Sequence, residues 1–219
     1  MKRPITIPAL IVLLALFAAA PPDQAAPDPA PYERITARSD WTDAHGRRLA
    51  FCILGRSGED RGRTLAVYEM TAGGWSRRFL DLDRGFHPYC IMTAELDGDA
   101  LPEVAVGAYK STRFDPKPGN RLFIFDWTGD ALFAKWLGSR LGLPFERFAF
   151  WRGDDGIDRL LAVEHSGSAR LVLRQYHWDG FGFSHDRDWI RVSNPADYEK
   201  ARDQLYEKMQ ELQDKGVGP

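Results

Sequence analysis

The chain has 219 residues, of which 44% are hydrophobic and 27% are charged, and these values fit one globular domain with appendages. A net charge of −2 and an isoelectric point of about 6.2 exclude the overall basic surface typical of nucleic-acid-binding proteins. An aromatic content of 12%, with 20 glycines and 14 prolines, favours short strands and tight turns over a helix bundle.

The first 31 residues differ from the rest of the chain. Residues 1–20 contain two basic residues, a short apolar run and a final stretch of alanines, which is the pattern of a Sec-type signal peptide. Residues 21–31 are rich in proline and alanine and are predicted to form a flexible tether. We therefore expect a periplasmic or secreted protein. Cleavage after Ala18, cleavage after Ala20 and an uncleaved segment that holds the protein at a membrane all stay open.

Residues 32–192 contain three units with a similar pattern of strands and turns. In each unit four short apolar runs alternate with turn residues, and the equivalent residues Leu49, Val104 and Leu160 are 55 and 56 positions apart. Such a period is typical of a propeller blade, so we predict an all-β fold, a partial β-propeller of about three four-stranded blades. An antiparallel sandwich is the alternative. Because a closed ring usually needs at least four blades, we expect the open edges to be capped or to self-associate.

Residues 194–215 are predicted to form one amphipathic C-terminal helix. Asn194 is a good N-cap, and Pro195 suits the first helical turn. The helix would end at Lys215-Gly216. Its apolar residues recur at helical spacing, and they are Tyr198, Leu205, Met209 and Leu212. This helix either packs on its own domain or binds a partner protein.

The two cysteines, Cys52 and Cys90, both lie in apolar runs with the character of strands. In an oxidising compartment they can pair and link two neighbouring units. The alternative is that both are buried free thiols that pack as small apolar residues.

The segment from Glu95 to Gly107 (ELDGDALPEVAVG) resembles the FG-GAP/VCBS-type repeat of β-propeller proteins. In that family an acidic calcium loop stands immediately before a strand that ends in glycine. The resemblance implies a propeller, an extracytoplasmic setting, and adhesion or ligand binding more often than catalysis. The two flanking units match the repeat only in their strand pattern.

The resemblance also implies a calcium site in this acidic turn, with four carboxylates and a backbone carbonyl near Leu101 as ligands. The chain departs from the family pattern at Ala100, where the family has a glycine. The alternative is an acidic turn that is held by hydrogen bonds from its own backbone. The four implied ligands are Glu95, Asp97, Asp99 and Glu103.

A second candidate site follows from the propeller topology. The connections between the second and third strands, and those between blades, emerge at one face, opposite the acidic turn. Basic side chains on these connections suit an anionic ligand, such as a phosphate, a carboxylated glycan or an acidic protein surface. The alternative is solvated loop charge that is partly paired with Glu59 or Asp115. The residues that we expect to converge are Arg56, His87, Lys110, Arg113 and Arg140.

The sequence favours a non-enzymatic exported module for binding or scaffolding, with an anionic ligand or a partner protein. The alternative is an exported hydrolase or lyase that acts on an anionic polymer, with His87 or His165 as the general base. The sequence contains no HExxH, Walker A or nucleophile-elbow motif. His177, His185, Asp186 and Asp188 are better explained as polar loop residues than as a metal cluster.

Overall fold

The computed structural model describes residues 33–59, 61–81, 86–113, 115–138, 140–167, 170–193, 195 and 197–216. The predicted signal peptide and tether lie outside these residues. The described residues form twelve strands and one helix: β1 (Glu33–Thr42), β2 (Arg48–Arg56), β3 (Thr64–Thr71), β4 (Gly74–Leu80), β5 (Pro88–Ala94), β6 (Glu103–Lys110), β7 (Gly119–Trp127), β8 (Leu132–Leu137), β9 (Phe145–Arg152), β10 (Asp158–His165), β11 (Arg170–Trp178), β12 (Phe183–Ser193) and α1 (Tyr198–Gly216).

The strands form three four-stranded antiparallel sheets, each made from four consecutive strands. The first sheet is β1 to β4, the second is β5 to β8 and the third is β9 to β12. This confirms the predicted all-β fold, a partial propeller-like array of three four-stranded blades. Every predicted unit corresponds to one sheet, because each apolar run pairs with the next run along the chain.

Glycines set the same hairpin in all three sheets. The turn between the third and fourth strands contains Gly74, Gly129 and Gly180, with φ angles of 102°, 99° and 91°. Backbone with such positive φ is strained for residues that carry a Cβ atom, so glycine is the residue that fits there. The repeated glycines of the sequence therefore mark the hairpins.

Two apolar layers join the three sheets. Between the first and second sheets the layer includes Phe51 and Val104, with the Trp127 ring edge-on to Phe51 at 5.8 Å between ring centroids. Between the second and third sheets it includes Ile124 and the fully buried Leu160. Each middle strand therefore buries side chains on both of its faces, which explains the near-continuous apolar runs.

The helix covers the outer face of the third sheet. Leu205 is completely buried there and packs in one cluster with Leu161 and Val163 of β10. The helix thus packs on its own domain, the first of the two expectations. The helix spans Tyr198–Gly216, and the Asp197 carboxylate accepts the Lys200 N–H at 3.0 Å and caps its first turn. Asn194, the predicted N-cap, lies outside the described residues. Among the residues the structure describes, no helix is both long and apolar enough to cross a membrane.

Cys52 and Cys90 are free thiols. Cys52 is completely buried in the middle of β2, whereas Cys90 in β5 is partly buried. The two side chains therefore follow the second expectation, that of small apolar residues in the sheets.

Candidate functional site

The two ends of the second sheet carry opposite charge. The two ends of the sheets are distinguished by the connections that emerge there. The acidic end is the one with the connections β1–β2, β3–β4, β5–β6, β7–β8, β9–β10 and β11–β12. We call the opposite end the basic end. At the acidic end, connections 95–103 and 126–131 contain six acidic residues and no basic residue. At the basic end, connections 110–119 and 138–144 contain four basic residues and one acidic residue. A net charge of only −2 conceals this separation.

The first connections of all three sheets meet at the acidic end. They line a common depression of about 380 Å³, to which the three sheets contribute Trp41, Glu95 and Ile157 respectively. The backbone of Glu95 is tied to the third sheet, since its N–H donates to the Asp158 carboxylate at 2.7 Å and its carbonyl accepts the Asp158 N–H at 2.7 Å. The acidic turn is therefore fixed between two sheets.

Within the acidic turn, each of three carboxylates accepts a hydrogen bond from the turn's own backbone. Glu95 accepts the Gly98 N–H at 2.7 Å, Asp97 accepts the Asp99 N–H at 3.3 Å, and Asp99 accepts the Leu101 N–H at 2.7 Å. Oxygen atoms of these three carboxylates lie within 4.8 Å of one another. The structure thus brings together three of the four implied calcium ligands.

Glu103, the fourth implied ligand, is not one of these three, but it interacts with Asp97 and shares the Lys135 ammonium with it. The Lys135 ammonium on β8 is 2.5 Å from Glu103 Oε1, 2.6 Å from Asp97 Oδ2 and 2.9 Å from Asp126 Oδ1. The second oxygen of Glu103 accepts the Leu96 N–H at 2.8 Å. Sequence analysis missed Lys135 because it follows the turn by more than 30 residues. Lys135 is the one basic residue of β8, and this feature could have identified it from the sequence as a candidate site residue.

These contacts shift the pKa values of the cluster. Burial disfavours the Lys135 ammonium, but its hydrogen bonds to the three carboxylates outweigh burial and raise the pKa of Lys135. Burial raises the pKa of Asp97, but the Lys135 hydrogen bond outweighs it, and the pKa is lowered overall. Burial raises the pKa of Glu103 to about 7, against the opposing effect of Lys135. At neutral pH the ammonium is fully charged.

At the basic end, one depression of about 430 Å³ lies between the first and second sheets. Its lining includes Arg61, Arg63 and His87. The Arg61 guanidinium lies 4.8 Å from the centre of the Tyr109 ring, and Arg63 is paired with Glu59 at 2.6 Å. Arg61 belongs to the site although sequence analysis did not select it. Arg61 lies between Gly58 and Gly62, and this position in a glycine-rich connection could have identified it from the sequence.

Lys110 and Arg140 lie on the second sheet's side of the basic end. The Lys110 ammonium lies 6.0 Å from the Phe86 ring and 5.9 Å from the Phe123 ring, which fixes its position over apolar surface. Arg140 is 59% exposed and stands 3.8 Å from Asp115. Asp115 pairs more closely, at 3.1 Å, with the buried Arg121.

Of the five predicted basic-face residues, only His87 and Arg140 line a depression, and each lines a different one. His87 lines the first depression, and Arg140 lines a second one of about 440 Å³ with Thr112 and Gly138. Arg56 and Arg113 are exposed on the connections beside them. The alternative interpretation is that the basic charges are partly paired with Glu59 or Asp115. Glu59 pairs with Arg63, and Asp115 pairs with Arg121 and Arg140.

Three of the histidines named in the sequence analysis, His165, His177 and His185, contact acidic partners. His165 contacts Glu146 at 2.9 Å through Nε2 and the Tyr198 hydroxyl at 3.1 Å through Nδ1, so both ring nitrogens are engaged. This is an anchor for the helix rather than a free general base.

His177 lies at the other end of the molecule, in an acidic-end cleft of about 850 Å³. Its Nδ1 is 2.5 Å from Asp186, while His185 pairs separately with Asp188 at 2.9 Å. The four residues therefore form two pairs, in keeping with the polar-loop interpretation.

Comparison with known proteins assigns the chain to no family. No protein-family model matches the chain. No curated protein matches it either. Among solved structures, an exo-beta-1,3-galactanase from Phanerochaete chrysosporium, crystallised with beta-1,3-galactotriose, is similar at a TM-score of 0.45 and 10% sequence identity. The match covers 74% of this chain and 43% of that chain, so the chain spans less than half of the enzyme's length. A similarity this weak carries no functional argument.

Proposed function

We propose that the protein is a non-enzymatic exported binding module whose basic end binds an anionic ligand. The observation that carries this proposal is the separation of charge between the two ends of the second sheet. Connections 110–119 and 138–144 are strongly basic, although the chain as a whole is slightly acidic. A local positive field attracts anions and raises their association rate even when the net charge is negative.

The basic side chains are also held by the scaffold. Arg61 stacks over Tyr109, and Lys110 lies over Phe86 and Phe123. A guanidinium or ammonium that is already positioned loses less conformational entropy when it meets a carboxylate or phosphate. Positioned cations on loops between rigid sheets therefore suit binding of a repeating anion, and we take a carboxylated polysaccharide as the test ligand.

The two depressions define the arrangement of subsites. One contains Arg61 and His87, and the other contains Arg140. Both depressions open to the surface, and each is lined by at least one arginine. Open depressions suit an extended polymer more than a small enclosed molecule.

The direct test is binding of polygalacturonate, with neutral dextran as the comparison polymer. Each of the changes Arg61→Glu and Lys110→Glu reverses one cation that is held over an aromatic ring. We expect the affinity to fall about tenfold for each variant, because a charge reversal removes one attraction and adds one repulsion. We also expect the wild-type affinity to fall steeply with added salt.

The matched control is Arg77→Glu, which makes the same charge change at an exposed position on the edge strand β4. It should leave the affinity within twofold of the wild type. Equal losses in Arg77→Glu and Arg61→Glu would show that binding follows net charge alone, which would contradict a site at the basic end.

A second candidate function is supported by one observation: His87 lines the same depression as Arg61 and Arg63. A histidine beside cations that hold a polymer is placed as a general base for a hydrolase or lyase. New reducing ends would reveal a hydrolase, and an unsaturated product that absorbs ultraviolet light would reveal a lyase. Activity that is lost in His87→Ala, with binding retained, would favour this candidate over the first.

A further inference from the structure

Lys135 holds the centre of the acidic cluster. Its side chain is only 13% exposed, and its ammonium lies within 2.9 Å of carboxylate oxygens from Asp97, Glu103 and Asp126. An ammonium has three N–H donors, and here each has one carboxylate partner. The ammonium also lies 5.6 Å from the centre of the Trp178 ring. The hydrogen-bonding capacity of Lys135 is therefore fully used inside this cluster.

The implied calcium ligands do not fit a metal ion while Lys135 is in place. Both oxygens of Glu103 are used, one by Lys135 and the other by the Leu96 N–H. Both oxygens of Asp97 are used as well, one by Lys135 and the other by the Asp99 N–H. Calcium takes six to eight oxygen ligands, and the Lys135 ammonium occupies the position that an ion shared by Asp97 and Glu103 would take.

Two more features indicate that the turn is complete without a metal ion. Glu95 and Asp99 each accept a backbone N–H, as carboxylates do in tight turns. Glu103 is buried, and a buried carboxylate requires a nearby positive charge or hydrogen-bond donors. Lys135 supplies that charge from within the chain.

We propose that the ammonium of Lys135 is the resident cation of the acidic turn, in the position where the resembling repeats hold calcium. Lys135 joins β8 to the β5–β6 turn and neutralises carboxylates that would otherwise repel one another. The turn is then ordered at any calcium concentration. Removal of the ammonium leaves a cluster of carboxylates that is open to a divalent cation.

The first test is the thermal unfolding of the wild-type protein in 5 mM calcium chloride and in chelator, at matched ionic strength. A ligand that binds only to the native state raises the melting temperature, and the rise grows with the logarithm of the ratio of its concentration to its dissociation constant. We expect the two melting temperatures to agree within about 1 °C. In a chain of this size, a change of about 1 kcal/mol in the free energy of unfolding shifts the melting temperature by a few degrees, so this margin detects weak binding. A calcium-dependent rise of several degrees in the wild type would overturn the proposal.

The second test is Lys135→Met, which removes the charge and keeps a long apolar side chain. In chelator we expect its melting temperature to fall by about 10 °C, because a buried carboxylate loses its partner. In calcium we expect part of this loss to be recovered, together with calcium binding that calorimetry detects in the variant and not in the wild type. A variant as stable as the wild type in chelator would overturn the proposal.

The matched control is Lys215→Met in the last turn of the helix, where the side chain is 65% exposed. It should change neither the melting temperature nor the response to calcium. A calcium response in this control equal to that of Lys135→Met would show non-specific binding and would also overturn the proposal.

Discussion

The Tyr176 hydroxyl donates a hydrogen bond to Glu164 Oε1 at 2.6 Å, inside the layer between the second and third sheets. Glu164 has no exposed surface, and its other oxygen accepts a hydrogen bond from Arg174 at 3.1 Å. The same hydroxyl accepts the Gly142 N–H at 3.2 Å. Tyr176 thus links a buried carboxylate to the connection between β8 and β9.

We predict that Tyr176→Phe lowers the free energy of unfolding by about 1.5–3 kcal/mol, because a buried carboxylate loses a donor. Urea unfolding measures this as a lower midpoint with an unchanged slope. The matched control is Tyr109→Phe, where the ring is 39% exposed, and we expect a change within about 0.5 kcal/mol. Equal midpoints for Tyr176→Phe and the wild type would contradict the role given to this hydroxyl.

Ala100 is the one described non-glycine residue with a positive φ, at 64°. This left-handed conformation costs an alanine roughly 1–2 kcal/mol, whereas glycine adopts it freely but loses more entropy on folding. We therefore predict that Ala100→Gly raises the free energy of unfolding by about 0.5 kcal/mol. Chemical denaturation of both proteins under identical conditions measures the difference.

The control for Ala100→Gly is Ala44→Gly in the β1–β2 connection, where φ is not positive. There the extra freedom of glycine in the unfolded chain should cost about 0.4–1 kcal/mol. The two substitutions are thus expected to have opposite signs. A loss of stability in both would show that the backbone at Ala100 is not strained.

The strands could be predicted from the sequence because the information lies in short stretches. Apolar runs in the middle strands and glycines at Gly74, Gly129 and Gly180 determine the three sheets locally. Predictions were less accurate where two signals compete. Asn194 and Asp197 are both good N-caps, and the structure shows the helix beginning after Asp197.

The candidate sites could be predicted only in part, because their partners are distant in the sequence. The acidic turn is visible as a motif, but Lys135 reaches it from the far edge of the second sheet. Arg61 stacks on Tyr109 across two sheets in the same way. The Lys135 contacts depend on how the strands of one sheet bring distant residues together, and the Arg61 contact depends on how two sheets pack, so local sequence motifs contain no information on either.

The two thiols should differ in reactivity from ordinary cysteines. Burial raises the pKa of Cys52 to about 12 and that of Cys90 to about 11. At pH 8 a pKa of about 11 leaves roughly a hundredth of the thiolate of an ordinary cysteine, and the thiolate is the reactive form. We therefore predict slow reaction of Cys90 and slower reaction of Cys52 with a disulfide reagent that reports released thiol.

In denaturant without reductant, both thiols should react at once and give two equivalents per chain. The variant Cys90→Ser isolates the reaction of Cys52 in the native protein. No released thiol in denaturant would show that the two cysteines are paired, contrary to the free thiols in the structure.

The contact between the helix and the third sheet should weaken at high pH. Burial, followed by the hydrogen bond to Glu146 at 2.9 Å, raises the pKa of Tyr206 to about 12, from 10.0 for a free tyrosine. The unfolded chain therefore loses this proton first. The stability from Tyr206 is fully present below pH 10 and is lost as the pH rises towards 12.

We predict that this titration removes at most about 1 kcal/mol, since Tyr206 is only partly buried, and that Tyr206→Phe makes the decline with pH less steep. Urea midpoints measured from pH 9 to pH 12 test this, with Tyr109→Phe as the control that keeps the wild-type profile. An unchanged profile in Tyr206→Phe would show that its hydroxyl does not hold the helix.

Each sheet is made from one continuous stretch of chain, so nearly every strand pair joins residues that are close in sequence. Small loops close at low entropic cost, and local pairing favours fast folding. The first sheet has all of its strands before the second has emerged from the site of synthesis, and the second has all of its strands before the third. The third sheet keeps an apolar face open until the helix, which follows it in the chain, docks upon it. We therefore expect the three sheets to assemble in their order along the chain, with the helix docking after the third.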